Sequence, residues 1–341
     1  MSKITHFVGV DVSADSLAAS IFKEPKEPAI TKESIPNNTD GFDLLVKWLK
    51  EHNVSYPNSI VCMETTGVYS QGLAHYLAAK GFSVVIEPAL KVKRAFEPSG
   101  HKTDAADSRQ IAEYAYRFLD ELKIWQPKNE ILEKIRQLLT AREQLTKQKV
   151  MTKNAMSAYA LEVVQVGVIN KAHQETLDQL KKHIANIDKE LSKLTRQDPM
   201  IAQKIDSLKS MPGCGMLLAA NLVAMTNGFE AIADHKQLAA FIGIAPYKCE
   251  SGTSVHKRPR IRHFGPQYTR KLLRLAAQSV ATHDIHFKQY YQRKLAEGKA
   301  KALVLNNIAN KLLKVACAII RDNKSYIKEH HSIHPMYLKI A

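Results

Sequence analysis

Over the first 126 residues, strand-like runs alternate with amphipathic helical runs, and this alternation restricts the chain to an α/β architecture built on a mixed sheet. Residues 4–23, ITHFVGVDVSADSLAASIFK, read as two strands joined by the polar turn VSADS. Residues 40–52 follow as a helix, with Phe42, Leu45, Val46 and Leu49 at helical spacing. SIVCMET (59–65) reads as a buried strand, SQGLAHYLAAKG as a helix closing on Gly81, and FSVVIEP (82–88) as a further strand. A short helix with KVKR, the loop EPSGHK and a helix starting near Asp104 complete the expected domain, residues 1–126.

Beyond Pro127 the composition shifts to long polar helices, expected to form a helical hairpin over 127–198. Leu177, Leu180, Ile184, Ile187, Leu191 and Leu194 step by three and four residues, the a/d repeat of a coiled coil. The seam serves either a hairpin packed on itself or an intermolecular coiled coil. A third, mainly helical region is expected over 199–330, with a tail at 331–341. It contains SMPGCGMLLAANLVAMT, where a Pro-Gly-x-Gly turn opens an apolar helix. Such a turn can present backbone N–H groups to a phosphate, as in a helix-hairpin-helix, or be a tight turn and nothing more. The helix from Ala300 to Arg321 reads as core, and HHSIHP, with His330, His331 and His334, as an exposed tail rather than a metal site.

Four acids sit where sheet chemistry gathers. Asp11 ends an apolar strand in GVDVS, and Glu64 ends another in CMETTG. Asp104 and Asp107, in HKTDAADSRQIA, are three apart and share one face of a helix. In α/β sheets, functional groups collect at strand ends and neighbouring helix N-termini, so the four can meet. Each has a structural alternative: Asp104 as an N-cap, Asp107 as a partner of Arg109 or solvent, Glu64 as a strand terminator. Asp11 is hardest to dismiss, because an acid inside FVGVDV bears a desolvation cost without a partner. Together they would repel strongly unless protonated or bound to cations, and oxygen-only donors suit Mg²⁺ or Mn²⁺. Two such ions about 4 Å apart clamp the attacking and leaving oxygens of a phosphodiester.

The net charge of +16 points to a polyanionic partner, and the positive charge is clustered. Residues 245–277 gather Lys257, Arg258, Arg260, Arg262, His263, Arg270, Lys271 and Arg274, a footprint for nucleic-acid phosphates. Ser251-Gly252 falls within this stretch and reads as a turn, with glycine removing bulk beside the hydroxyl. A serine among arginines can attack phosphorus because the cations stabilise the developing charge; Ser254 competes for the role, and an incidental serine in a glycine-rich loop is the plain alternative. Cys62, Cys214, Cys249 and Cys317 form no CxxC pair, which disfavours zinc and disulfide frameworks and fits a reducing cytoplasm. At 45% hydrophobic and 24% charged residues the chain is globular rather than disordered. No signal peptide or membrane span is expected, since no apolar run approaches roughly 18 residues.

GVDVS, METTG, KTDAADS and the series PGCG…GIAP…SGTS…RIRHFGPQYTRKLL together resemble the DEDD transposases of the insertion-sequence one-ten family, relatives of the Piv DNA invertase, over nearly the whole chain. The resemblance implies a RuvC-like (RNase H-type) amino-terminal domain, a coiled-coil middle and a carboxy-terminal transposase domain. It implies an acidic tetrad at Asp11, Glu64, Asp104 and Asp107 holding Mg²⁺ or Mn²⁺, and a nucleophilic serine at Ser251. It also implies a structured guide RNA pairing with donor and target DNA, and a dimer-to-tetramer assembly in which one protomer's serine completes another's acidic site. Thr253-Ser254 places a second hydroxyl beside the motif. The expected activity is RNA-guided DNA recombination through a phosphoserine, with a hydrolytic junction-resolving nuclease using the same tetrad as the alternative. A non-enzymatic nucleic-acid scaffold is the third reading, and the acidic set argues against it.

Overall fold

The computed structural model describes residues 4–65, 67–96, 103–127, 129–251, 255–261 and 265–328, with backbone alone for 248–251 and 255–260. The chain forms two compact units, residues 1–127 and 128–341.

The first unit holds β1 (His6–Val12), β2 (Ser16–Phe22), β3 (Ile30–Pro36), α1 (Thr39–Glu51), β4 (Ser59–Glu64), α2 (Tyr69–Ala79), β5 (Ser83–Glu87), α3 (Ala89–Arg94) and α4 (Asp104–Arg117). Its sheet has the order β3-β2-β1-β4-β5. β1 pairs antiparallel with β2 and parallel with β4, and β4 pairs parallel with β5. The sequence reading had no strand at β3, where only Ile35 is buried and apolar alternation is too weak to register.

Strand alternation sorts the core onto two faces. Val8, Val10 and Val12 of β1 join Val61 and Met63 of β4 against Leu45 and Leu49 of α1 and Leu73 and Leu77 of α2. On the opposite face, Phe7, Ile60, Cys62 and Val85 pack with Ile111, Ala112 and Tyr114 of α4. Gly9 lies on this second face. A Cβ there would stand 2.2 Å from both Ser108 O and Ala112 N, so α4 rests its backbone directly on β1. A buried hydroxyl relay seals the contact: Ser108 Oγ meets Ser20 Oγ at 2.8 Å, and Ser20 Oγ meets Thr31 Oγ1 at 2.8 Å.

The second unit comprises α5 (Glu130–Tyr159), α6 (Gly167–Leu194), α7 (Pro199–Lys209), α8 (Met216–Met225), α9 (His235–Ile242), β6 (Pro246–Ser251), β7 (Val255–Ile261), α10 (Gln267–His283), α11 (Ile285–Ala296) and α12 (Lys301–Asp322). α5 and α6 form a hairpin. At its base, Leu132, Ile135, Leu139, Leu191 and Leu194 enter the same core as α7–α12. Higher up, Arg142 grips Asp188 with two hydrogen bonds of 2.6 and 3.2 Å. Around its tip, Leu161, Val163, Val164 and Val168 are exposed. The Pro-Gly-x-Gly turn before α8 has Gly213 at φ +75°, and a Cβ there would lie 2.7 Å from Val280 Cγ1 and 2.9 Å from Ala276 O of α10. This close approach accounts for the glycine by packing.

Among the described residues, α12 is long and apolar enough to cross a membrane. Its apolar residues are Ala-, Leu- and Ile-rich but interrupted by Asn and Lys, so no unbroken run shows in the sequence. Val304, Ile308, Leu312, Leu313 and Ala316 bury one face in the unit's core.

Gly9→Ala is expected to push α4 off β1 and destabilise the first unit by about 1–3 kcal/mol. Trp48 and Trp125 both lie in residues 1–127, so tryptophan fluorescence during urea unfolding reports this unit. An unchanged midpoint would contradict the close contact.

Candidate active site and its basic partner unit

The β1–β4 ladder pairs Val10 with Met63, one residue before Asp11 and Glu64. Those acids therefore stand side by side where the two parallel strands end. α4 begins over the same strand ends. Its N-cap is Thr103, whose hydroxyl accepts from Ala106 N at 3.1 Å. The capping alternative for Asp104 is thereby removed, and Asp104 becomes the first helical residue, exposed in the positive end of the helix dipole. Asp107 is half-buried one turn on, and Arg109 donates through Nε to Thr31 Oγ1 at 3.0 Å. Because α4 is pinned at Ser108 and Ala112 over Gly9, its first turn is delivered to Asp11, two residues along the same face of β1.

The electrostatics record that convergence. The half-buried Asp11 carboxyl is held above its ordinary value, first by desolvation, then by the charges of Asp107 and Asp104. The Val12 backbone N–H and the Lys93 charge oppose the shift. Among the described residues, no three His, Cys, Asp or Glu side chains are spaced to hold a metal ion as they stand. The donor chemistry nevertheless fits a hard divalent cation: all the groups are carboxylates, and Asp11 carries a like-charge penalty that a cation would reverse.

Sequence reasoning missed a further acid. Glu87 ends β5, pairs with Glu64 in the ladder and is only 7% exposed. Lys91 approaches it at 3.4 Å, also lies 3.9 Å from Glu121, and sits over the Tyr114 ring. Burial pushes the Cys62 thiol up, and the charges of Glu87 and then Glu64 push the same way, so both acids act on the α4 face. The signal was present in FSVVIEP, an acid closing an apolar strand as Asp11 and Glu64 do.

In the second unit, Ser251 is the last residue of β6 and pairs with Val255 of β7, rather than lying in a free turn. Lys257, Arg258 and Arg260 fall on β7, a strand within a region expected to be mainly helical. Arg262, His263 and Ser254 lie outside the described residues, as do His330, His331 and His334. Arg270, Lys271 and Arg274 lie on α10, with Lys271 and Arg274 exposed opposite the buried Leu273, Ala277 and Val280.

The DEDD transposase family of the IS110 group matches residues 8–164, and the transposase family IS116/IS110/IS902 matches residues 205–292. The chain belongs to the IS110 family of transposases. It is similar to the pilin gene-inverting protein of Moraxella lacunata, 25% identical over 95% of this chain and 98% of that one, and equally to its Moraxella bovis counterpart. An uncharacterized 42 kDa protein of insertion element IS900 from Mycobacterium paratuberculosis is 33% identical over 43% of this chain and 38% of its own length.

The raised Asp11 pKa sets a sign. A carboxyl with a raised folded pKa favours folding below its unfolded value, 3.8, and loses that contribution as pH rises through the folded value. In divalent-free buffer at pH 7, Asp11→Asn should therefore raise the urea midpoint of the first unit. The gap to the unsubstituted protein should close as pH falls towards 4 or below. A lower midpoint for Asp11→Asn at pH 7 would contradict the like-charge arrangement.

Proposed function

We propose that this transposase is an RNA-guided DNA recombinase of an insertion sequence that conserves phosphodiester energy in a phosphoserine. The observation that carries the reading is the electrostatic meeting of Asp11 with Asp104 and Asp107 at the strand ends. The strand order, with an antiparallel edge and a parallel β1-β4-β5 side, is the support for a RuvC-like (RNase H-type) domain. Asp11, Glu64, Asp104 and Asp107 would hold Mg²⁺ or Mn²⁺, which when bound supplies charge stabilisation at the phosphoryl oxygens.

In the reaction, Ser251 Oγ attacks phosphorus, the bond from phosphorus to the leaving strand oxygen breaks, and the serine proton passes to a base. The leaving oxygen takes up a proton. A hydroxyl of the new strand then attacks the phosphoserine, re-forms a phosphodiester and returns the serine. The basic run from Lys257 through Arg258, Arg260, Arg262, Arg270, Lys271 and Arg274 would hold the DNA backbone or the guide RNA. The relatives named for inverting a pilin gene are the support for DNA as substrate. The Leu180–Leu194 seam is buried within the protomer's own α5–α6 hairpin, so support for a dimer or tetramer comes from the exposed apolar tip of that hairpin.

The test is denaturing-gel detection of a covalent protein–DNA adduct with Mg²⁺ and the element's RNA. Ser251→Ala should remove the adduct, and Asp11→Ala should lower its formation at least about 10³-fold, the scale on which catalytic groups of this kind act. An adduct that survives Ser251→Ala moves the attack to another residue. Free cut ends made equally well by Ser251→Ala would replace recombination with hydrolysis.

A further inference from the structure

A pocket of about 340 Å³ opens between α9 and α12, at the root of the β6–β7 hairpin. Lys236, Lys311 and Lys314 line it, with His235, Asn310 and Pro246. Lys311 and Lys314 are three residues apart on α12 and so share one face, with the Lys311 ammonium 4.8 Å from the centroid of the Tyr290 ring. Some other cations of this unit are paired with a carboxylate: Lys209 with Asp206 at 2.9 Å, Lys294 with Glu297 at 2.7 Å, Lys204 with Glu230 at 3.9 Å. Among the described residues, no carboxylate lies within ion-pair distance of Lys236, Lys311 or Lys314. Asp234 immediately precedes the pocket residue His235. Its Oδ2 accepts from Lys236 N and Gln237 N at 3.0 Å each, and its Oδ1 lies 3.6 Å from His235 Nδ1. Asp234 is thus committed to capping α9, and the lysines retain a positive balance.

The pocket is tied to the root of the serine hairpin. Asn310, on its wall, donates through Nδ2 to Ile244 O at 3.3 Å, and Asn306 donates to the same carbonyl at 3.0 Å. Ile244 stands two residues before Pro246, where β6 starts. Gly265, past the end of β7, packs on the last turn of α9: a Cβ there would stand 2.3 Å from Phe241 O. The hairpin is therefore held at its root by α12 on one side and α9 on the other. From Pro246 to Ser251 the strand runs about 17 Å, or about five base steps of duplex axis.

We infer that the Lys236–Lys311–Lys314 pocket seats a backbone phosphate of bound nucleic acid and registers the strand relative to the root of the β6–β7 hairpin. This rests on the nucleic-acid reading above but not on Ser251 as nucleophile. Clustered ammonium groups with no paired acid form a phosphate seat, and a polyanion presents phosphates at a spacing a neighbouring basic strand can share.

The experiment uses the full chain and three variants: Lys236→Gln/Lys311→Gln/Lys314→Gln, the corresponding triple lysine-to-arginine variant, and Ser251→Ala. Binding to a labelled DNA duplex and a labelled structured RNA is measured across salt concentrations, with thermal melting as the folding check. The glutamine triple should bind one or both polymers at least about tenfold more weakly, with a salt slope shallower by about one to three. The arginine triple should bind as the unsubstituted protein does, which separates lost charge from a damaged fold. Ser251→Ala should bind normally, so loss of the serine reading leaves this one standing. Unchanged affinity and slope in the glutamine triple would overturn the inference. So would inorganic phosphate stabilising the unsubstituted protein but not the triple while polymer binding stays equal, which would make the pocket a free-anion site. Loss of polyglutamate binding alone would assign it to an acidic protein partner and likewise overturn the inference.

Discussion

The contact between a helix backbone and a bare strand organises the acidic site. With no side chain at Gly9, α4 descends until Ser108 and Ala112 touch β1, and the Ser108–Ser20–Thr31 hydroxyl chain satisfies the polar groups that this closeness buries. Everything chemical in the first unit follows from that depth. The Asp104–Asp107 turn arrives beside Asp11 because the helix cannot ride higher, and Glu64 and Glu87 extend the acidic edge because parallel strands in register end together. The penalty of like charges is offset in part by Lys93 near Asp11 and Lys91 at Glu87. It remains a destabilised arrangement, the kind found where function sets the geometry.

The second unit solves a different problem, that of rooting a two-stranded ribbon on a helical core. α9 stops at Gly243 in a left-handed cap, and the chain turns into β6 under the grip of Asn306 and Asn310 on the Ile244 carbonyl. The two-stranded ribbon then carries Ser251 at its far end. A two-stranded hairpin is marginal by itself, so its placement depends on this rooted base. The lysine pocket shares that base, which links where a polyanion docks to where the serine-bearing strand begins.

Much of this was legible from residues. Asp11 within FVGVDV and Glu64 closing SIVCME announced themselves as acids in apolar strands, and the three-residue spacing of Asp104 and Asp107 gave a shared helix face before any coordinates. β3 was illegible because only one of its residues is buried, and the β6–β7 ribbon because its charges and Gly252 mask any alternation of apolar residues. Thr103, not Asp104, caps α4, a choice between two adjacent capping-competent residues that local sequence does not decide. Glu87 was passed over although its strand obeys the same rule as β1 and β4. The lysine pocket could not be read at all, since α9 and α12 bring together residues some 75 positions apart.

The central claim is that α4 delivers its acids to Asp11, and carboxyl-carbon NMR titration of Asp11 tests it directly. In the metal-free protein, the Asp11 pKa should lie above the ordinary 3.8 and move down when Asp107 is replaced by Asn, with a smaller movement for Asp104→Asn. An Asp11 that titrates at the ordinary value, or is indifferent to both substitutions, would show that the helix and the strand end do not meet.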